Sequence, residues 1–172
     1  LEQALQREQW EETATVAVRE ITIEEKERFN SFLATCAKGH VLQTWEWGEL
    51  KAKTGWSPIR LVAERQGEIV GAISVLKRLV PTGKWCIFYA PRGPVLAIEE
   101  QDVWEALLAG VKEQAKKHNA IFLKIDPDVK DDDALWHERI EGAGFRPVDK
   151  GPGFEGVQPR FVFRLDISPD EE

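Results

Sequence analysis

The residues that offer most to a charged ligand are isolated cations and aromatics, not a nucleophile paired with a base. Lys51 follows the string L-Q-T-W-E-W-G-E-L. Arg92 stands between two prolines in Y-A-P-R-G-P-V, residues 89–95, and Tyr89, the single tyrosine, opens that string. Arg160 follows Gln158-Pro159 and begins an alternating apolar run. Lysine meets phosphate as a point charge and arginine as a planar fork. Trp45 and Trp47 offer flat surfaces to a nucleotide or sugar. Two apart on a helix they point in different directions, so one lines a groove and the other packs. Each has a plain alternative. Lys51 can be a solvated lysine beside Lys53, Arg92 the partner of a nearby carboxylate, Tyr89 a core residue, and Arg160 half of a cross-strand ion pair.

Other constellations fail on spacing. Asp126, Asp128 and Asp131–Asp133 lack the spacing and central glycine of a calcium loop and read as helix caps and a solvated loop. His137 and Glu141 lack the second histidine of a helical zinc motif. His40 and His118 lie near helix ends. Cys36 and Cys86 show no metal spacing and read as small core residues, with a disulfide left open. No Ser-His-Asp or Cys-His arrangement is recognisable. With 23 basic and 30 acidic residues, the net charge of −7 argues against a broad nucleic-acid face, though a local basic patch remains compatible. No run is long and apolar enough to span a bilayer, and residues 1–10 do not resemble a signal peptide. The chain starts at Leu1 and has no methionine, as expected of part of a longer product.

These residues need a scaffold. Residues 1–14 read as an arm or helix, 15–167 as one domain, and 168–172 as the start of a following segment. Residues 16–21 read as a strand, then Thr22 and Glu25 as a capping box for a helix that ends near Lys38-Gly39. Thr44 caps a second helix over 43–53. Strands follow at 59–64, 69–80 and 85–89, with turns at 66–68 and 81–83. Val103, Trp104, Leu107, Leu108, Val111 and Ala115 form a helical stripe. A strand at 120–125, a helix around 135–143 stopped by Gly144, and strands at 145–148 and 160–165 complete the order β-α-α-β-β-β-α-β-α-β-β. This predicts an α/β (α+β) mixed sheet with helices on both faces.

That order resembles the GNAT acyltransferase fold. The resemblance implies that strands near 85–90 and 120–125 splay apart and that a cofactor enters between them. GNAT proteins that use acetyl-CoA hold its pyrophosphate on backbone N–H groups of a glycine-rich loop at a helix start. Here Pro91 and Pro94 lack an N–H, one glycine is present, and Glu99, Glu100 and Asp102 crowd the helix start. The loop is poorly made for coenzyme A and leaves Arg92 as the mobile charge that meets a ligand.

The strings L-Q-T-W-E-W-G-E-L-K, G-W-S-P, Y-A-P-R-G-P-V, F-L-K-I-D-P, G-A-G-F and Q-P-R occur in one order over about residues 20–167. Together they resemble the Fem-type (FemABX, or methicillin-resistance-protein) peptidyltransferases. The resemblance implies transfer of an amino acid from aminoacyl-tRNA to the stem peptide of a peptidoglycan precursor, UDP-MurNAc-pentapeptide or its lipid-linked form. It also implies two tandem GNAT-like domains, of which this chain resembles the first. It places Lys51 where a first-domain lysine contacts the acceptor's diphosphate, and makes Lys51, Arg92, Tyr89, Trp47 and Arg160 the substrate-binding candidates. It implies no cofactor, a cytoplasmic protein with peripheral membrane association open to it, and a fragment that does not turn over alone. Two other readings are an acetyl-CoA-dependent N-acetyltransferase and a non-catalytic binding module.

Overall fold

The computed structural model describes residues 15–81, 83–130 and 132–147. The chain forms two compact units, divided between Leu135 and Trp136. In the first, β1 (Ala17–Glu20) leads through a 3₁₀ turn (Ile23–Glu25) into α1 (Lys26–Thr35). A second 3₁₀ turn (Val41–Gln43) precedes α2 (Trp45–Ala52). Strands β2 (Ser57–Arg65), β3 (Glu68–Leu79), β4 (Cys86–Arg92) and β5 (Val95–Leu96) follow, then α3 (Gln101–His118) and β6 (Ala120–Pro127). Helix α4 (Ala134–Gly142) carries the chain into the second unit. The expected arm at 1–14 and strand at 160–165 lie outside the described residues, and 145–147 are not a strand.

The sheet runs β1-β2-β3-β4-β6, antiparallel except for the β4–β6 pair, with β5 also on β3. Gln66 and Gly67 both have positive φ, the conformation of a tight two-residue hairpin turn between β2 and β3. Helix α3 covers one face of the sheet with Val103, Trp104, Leu107, Leu108 and Val111, the buried part of the expected stripe. The opposite face packs under α1 and α2, where Phe29, Leu33, Trp45, Val62, Ala72 and Val95 form one core.

Local chemistry departs from expectation at α1. Thr22 gives no side-chain cap, and its hydroxyl donates to Glu24. Glu25 is engaged by Arg19 at 2.5 and 2.6 Å, so the capping box does not form. Gly39 does not close the helix by a left-handed turn. It is needed because a Cβ there would stand 1.7 Å from the Leu33 carbonyl oxygen. At α2 the expected cap is present, with Thr44 Oγ1 accepting from the Trp47 N–H. In the second unit Gly144 (φ 84°) closes α4 as expected, with the Phe145 N–H donating to Ile140 O and the Gly144 N–H to Glu141 O.

One expectation is overturned. Strands β4 and β6 do not splay; their parallel pairing continues from Cys86↔Ala120 to Arg92↔Pro127. The opening lies instead between β3 and the segment 90–94. Strand β4 pairs with β3 only along Leu76–Leu79, and β5 rejoins it at Gly71–Ala72.

Candidate functional site

The opening beside β3 is bridged by one side chain. Gln43 is fully buried. Its Nε2 donates to Pro91 O at 2.7 Å and to Ser74 O at 3.2 Å, while its Oε1 accepts from the Ser74 N–H at 2.7 Å. The amide does what a missing stretch of strand ladder would do, which satisfies polar groups that burial would otherwise make costly. A Cβ on Gly93 would come within 2.7 Å of Gln43 Cδ, Nε2 and Oε1. This is the physical reason for a single glycine between the two prolines.

The backbone donors of that turn are all accounted for. Pro91 and Pro94 have none. The Arg92 N–H donates to Asp126 Oδ1 at 2.7 Å, and the Gly93 N–H to Ala90 O at 3.3 Å. The turn therefore has no amide to offer a pyrophosphate. Arg92 itself has φ 56°, and the peptide between Gly93 and Pro94 is cis.

Around Asp126 the sheet face under α2 carries a row of cations and rings. Tyr89 Oη donates to Asp126 Oδ2 at 2.9 Å. Lys124, cross-strand from Tyr89, places Nζ 5.8 Å from the Tyr89 ring centroid. On the other side the Trp56 ring lies 6.3 Å from that of Tyr89, and Arg78 Cζ lies 5.5 Å from the Trp56 ring. Burial pushes the Lys124 ammonium below the ordinary lysine range, and Asp126 opposes the shift. Lys51 lies in the last turn of α2, half-buried, with Nζ 5.1 Å from the Trp47 ring. Its carbonyl accepts from the Trp56 N–H, which ties this turn to the row.

The W-E-W-G string is mostly architecture. Trp45 is buried, edge-on to Phe29 at 6.3 Å, with Arg60 Cζ 3.6 Å from its ring. A Cβ on Gly48 would meet Arg60 Nη2 at 2.4 Å and Pro58 Cβ at 3.0 Å, so glycine is what lets α2 lie on β2. Of the two tryptophans, one packs and the half-buried Trp47 carries Lys51, as the spacing predicts.

Of the expected site residues, Tyr89 and Arg92 meet through Asp126, and Lys51 and Trp47, one turn apart on α2, pair with each other. Arg160 lies outside the described residues. Arg92 is not the mobile charge expected. Its backbone is held by Asp126, its side chain is only 14% exposed, and Nη1 stands 3.8 Å from Asp128 Oδ1. The sequence does not single out Gln43, Trp56, Arg78 or Lys124, and it reads Asp126 as part of a capping and solvated acidic loop, whereas Asp126 is a half-buried residue of β6 that accepts from Tyr89 and the Arg92 N–H. Gln43, Trp56, Lys124 and Asp126 sit inside the quoted L-Q-T-W-E-W-G-E-L-K, G-W-S-P and F-L-K-I-D-P strings, whereas Arg78 lies in none of them and joins the row only through its place on β3. Both cysteines are free thiols. Among the described residues no group of three acidic, histidine or cysteine side chains is placed to hold a metal ion.

The same architecture is found in known proteins. The FemAB family matches residues 23–141. Lipid II:glycine glycyltransferases of Staphylococcus aureus strains bovine RF122 / ET3-1 and MRSA252 are each 32% identical over 146 residues, 83% of this chain. The chain spans only 35% of the length of these curated relatives. The crystal structure of FemX superposes with a TM-score of 0.69 at 32% identity, covering 75% of this chain and 32% of FemX. A ribosomal-protein-alanine N-acetyltransferase from Brucella melitensis biovar Abortus 2308 shares the acetyltransferase fold alone, with a TM-score of 0.56 and 16% identity over 88% of this chain and 100% of that one. The family match runs from the turn before α1 into α4 and takes in both the W-E-W-G and the Y-A-P-R-G-P strings. The chain belongs to the FemAB family.

Proposed function

We propose that this chain is the acceptor-binding domain of an aminoacyltransferase. The complete enzyme moves an amino acid from aminoacyl-tRNA to the stem peptide of a peptidoglycan precursor, and it works in the cytoplasm. The acceptor is UDP-MurNAc-pentapeptide or its lipid-linked form. The observation that carries the reading is the row of cations seated on rings, Arg78–Trp56–Tyr89–Lys124, with Lys51 on Trp47 beside it. Such a row suits a ligand that joins phosphates to a base and sugars, because cations meet the phosphates and rings meet the flat or apolar faces. Relatives named as lipid II:glycine glycyltransferases support the substrate class.

The spent amides of the 91–94 turn favour this reading over an acetyl-CoA-dependent one, since a coenzyme pyrophosphate has no backbone donors to meet there. In amide formation the acceptor amine is itself the nucleophile and attacks the aminoacyl ester carbonyl; the new C–N bond replaces the ester C–O bond, and the tRNA ribose oxygen leaves as a hydroxyl, taking up the proton that the amine loses. The protein's task is to align the two and exclude water, which needs no covalent intermediate. Asp126 serves by holding Tyr89 and the Arg92 backbone in place. The chain alone binds acceptor without turning over, because the aminoacyl-tRNA end is met elsewhere in the complete enzyme.

The test is calorimetric titration of the chain with UDP-MurNAc-pentapeptide at low and high salt. Binding is expected to weaken with salt and to fall roughly tenfold in Lys51→Ala, on the order of one charge-assisted contact. Salt-independent binding, or an unchanged affinity in Lys51→Ala, would refute the assignment.

A further inference from the structure

Helix α2 carries Lys51, yet little apolar packing fixes where that helix lies. It has eight residues, and only Trp45 and Gly48, both in its first half, are buried. Leu50, its one large aliphatic residue, is 52% exposed. A helix this short is marginal by itself and takes its place from tertiary contacts. The contacts of α2 are largely polar and gather at its first turn.

From the side of α1, Asn30 reaches that turn with both ends of its amide. Its Oδ1 accepts from the Trp45 N–H at 3.0 Å, and its Nδ2 donates to Glu46 Oε2 at 2.8 Å. Lys26, one turn back on α1, holds the other Glu46 oxygen at 2.7 Å. The Trp45 amide is one of the N-terminal donors that a helix cannot satisfy itself, so a residue of another helix completes the cap that Thr44 begins. From the side of the sheet, Arg60 of β2 is buried, with Cζ 3.6 Å from the Trp45 ring. Its Nη2 donates to Trp45 O and to Glu49 Oε1, both at 2.9 Å. Its buried Nε has no partner among the described residues. A buried guanidinium left partly unpaired is a poor device for stability. What it supplies, and an apolar residue could not, is a directed grip on the Trp45 carbonyl.

We infer that Asn30 and Arg60 are positioning residues for Lys51. They pin the first turn of α2 between α1 and β2, and the helix carries that placement to its last turn. Lys51 lies six residues beyond Trp45, about 9 Å along the axis, so a tilt of about 10° at the pinned turn moves it by about 1.5 Å. That exceeds the spread of hydrogen-bond lengths, about 0.5 Å, and so decides whether an ammonium meets a phosphate oxygen. The part Lys51 plays toward the acceptor is that of the proposed function, on which this inference rests.

Two double-mutant cycles test it, Asn30→Ala and Arg60→Met, each with and without Lys51→Ala, read by calorimetric titration with UDP-MurNAc-pentapeptide. With Lys51 in place, each is expected to weaken binding roughly fivefold, within the roughly tenfold expected of Lys51→Ala. With Lys51 already alanine, the change should stay below about twofold. The salt dependence of binding should fall toward that of Lys51→Ala in both variants, a change that a structural fault elsewhere would not produce. Without ligand, amide hydrogen exchange should quicken over residues 45–52 and not over α3. The urea midpoint should hold in Arg60→Met, since the exposed Glu49 returns to water, so a loss of affinity there is not a loss of fold. Equal losses in both Lys51 backgrounds, unchanged affinity in either variant, or exchange that stays slow over 45–52 would overturn the inference and leave the acceptor assignment standing on the wild-type titration. No binding by the wild-type chain would remove the proposed function, and the inference with it.

Discussion

The coupling between Gln43 and Gly93 can be tested by a double-mutant cycle. Gln43→Ala removes the bonds to Pro91 O, Ser74 O and the Ser74 N–H from a fully buried site. A buried polar group left unpaired costs about 1–3 kcal/mol, and truncation adds a cavity term, so the expected loss is about 3–5 kcal/mol. Gly93→Ala introduces a Cβ 2.7 Å from three Gln43 side-chain atoms, and overpacking of this kind costs about 1–3 kcal/mol. Gly93 does not have a positive φ, so alanine is acceptable to the backbone and Gln43 is the obstacle. With Gln43 already alanine, the new methyl meets the space just vacated, and its cost should fall below about 0.5 kcal/mol. The cycle should thus show a coupling of about 1–3 kcal/mol between two residues 50 positions apart in sequence. Urea unfolding followed by tryptophan fluorescence and far-UV circular dichroism reads it, with m expected to stay constant. Equal costs for Gly93→Ala in both backgrounds, or a loss below about 1 kcal/mol for Gln43→Ala, would refute the clamp.

Three further outcomes are expected. Asp126→Ala releases both the Tyr89 hydroxyl and the Arg92 N–H, and should lower stability by about 2 kcal/mol and weaken precursor binding more than Tyr89→Phe does; equal effects would show that Asp126 does not hold the Arg92 turn. Hydrogen bonding to Arg19, and then to Arg28, holds the Glu64 carboxyl at about 2 against an ordinary 4.5, although partial burial opposes this. Because the folded value is the lower one, this contribution is complete above about pH 4.5 and is lost as pH falls toward 2. With Arg19 partly exposed it amounts to about 1–2 kcal/mol, so thermal unfolding of Glu64→Gln should be less pH-dependent than wild type between pH 5 and 2. Burial raises the Cys86 thiol and the side chain is fully enclosed, so at pH 8 a thiol reagent should modify the half-buried Cys36 first and Cys86 only on unfolding.

Much of the fold was legible because it rests on local periodicity. The Val103–Val111 stripe, the Gln66-Gly67 turn, the Thr44 cap and Gly144 carry their chemistry in adjacent residues. What escaped depends on contacts far apart in sequence. Thr22 and Glu25 spell a capping box, but Arg19 and Arg28 engage Glu25 first. The prolines at 91 and 94 rightly signal a turn poor in donors. They do not show that Gln43 would fill the gap beside β3, or that β6 would follow β4 as far as Pro127. The same holds for the site. Lys51 and Tyr89 stand out because of the strings they lie in, whereas Lys124, although inside F-L-K-I-D-P, and Arg78 are ordinary cations until the pairing of the strands sets them on Tyr89 and Trp56.

On the reading proposed above, this face binds a muropeptide precursor and the 91–94 turn cannot cradle coenzyme A. Parallel calorimetric titrations of one preparation with UDP-MurNAc-pentapeptide and with acetyl-CoA separate the two ligands. Salt-sensitive binding of the precursor and no binding of acetyl-CoA are expected. Micromolar binding of acetyl-CoA with no heat from the precursor would assign the face to the coenzyme instead.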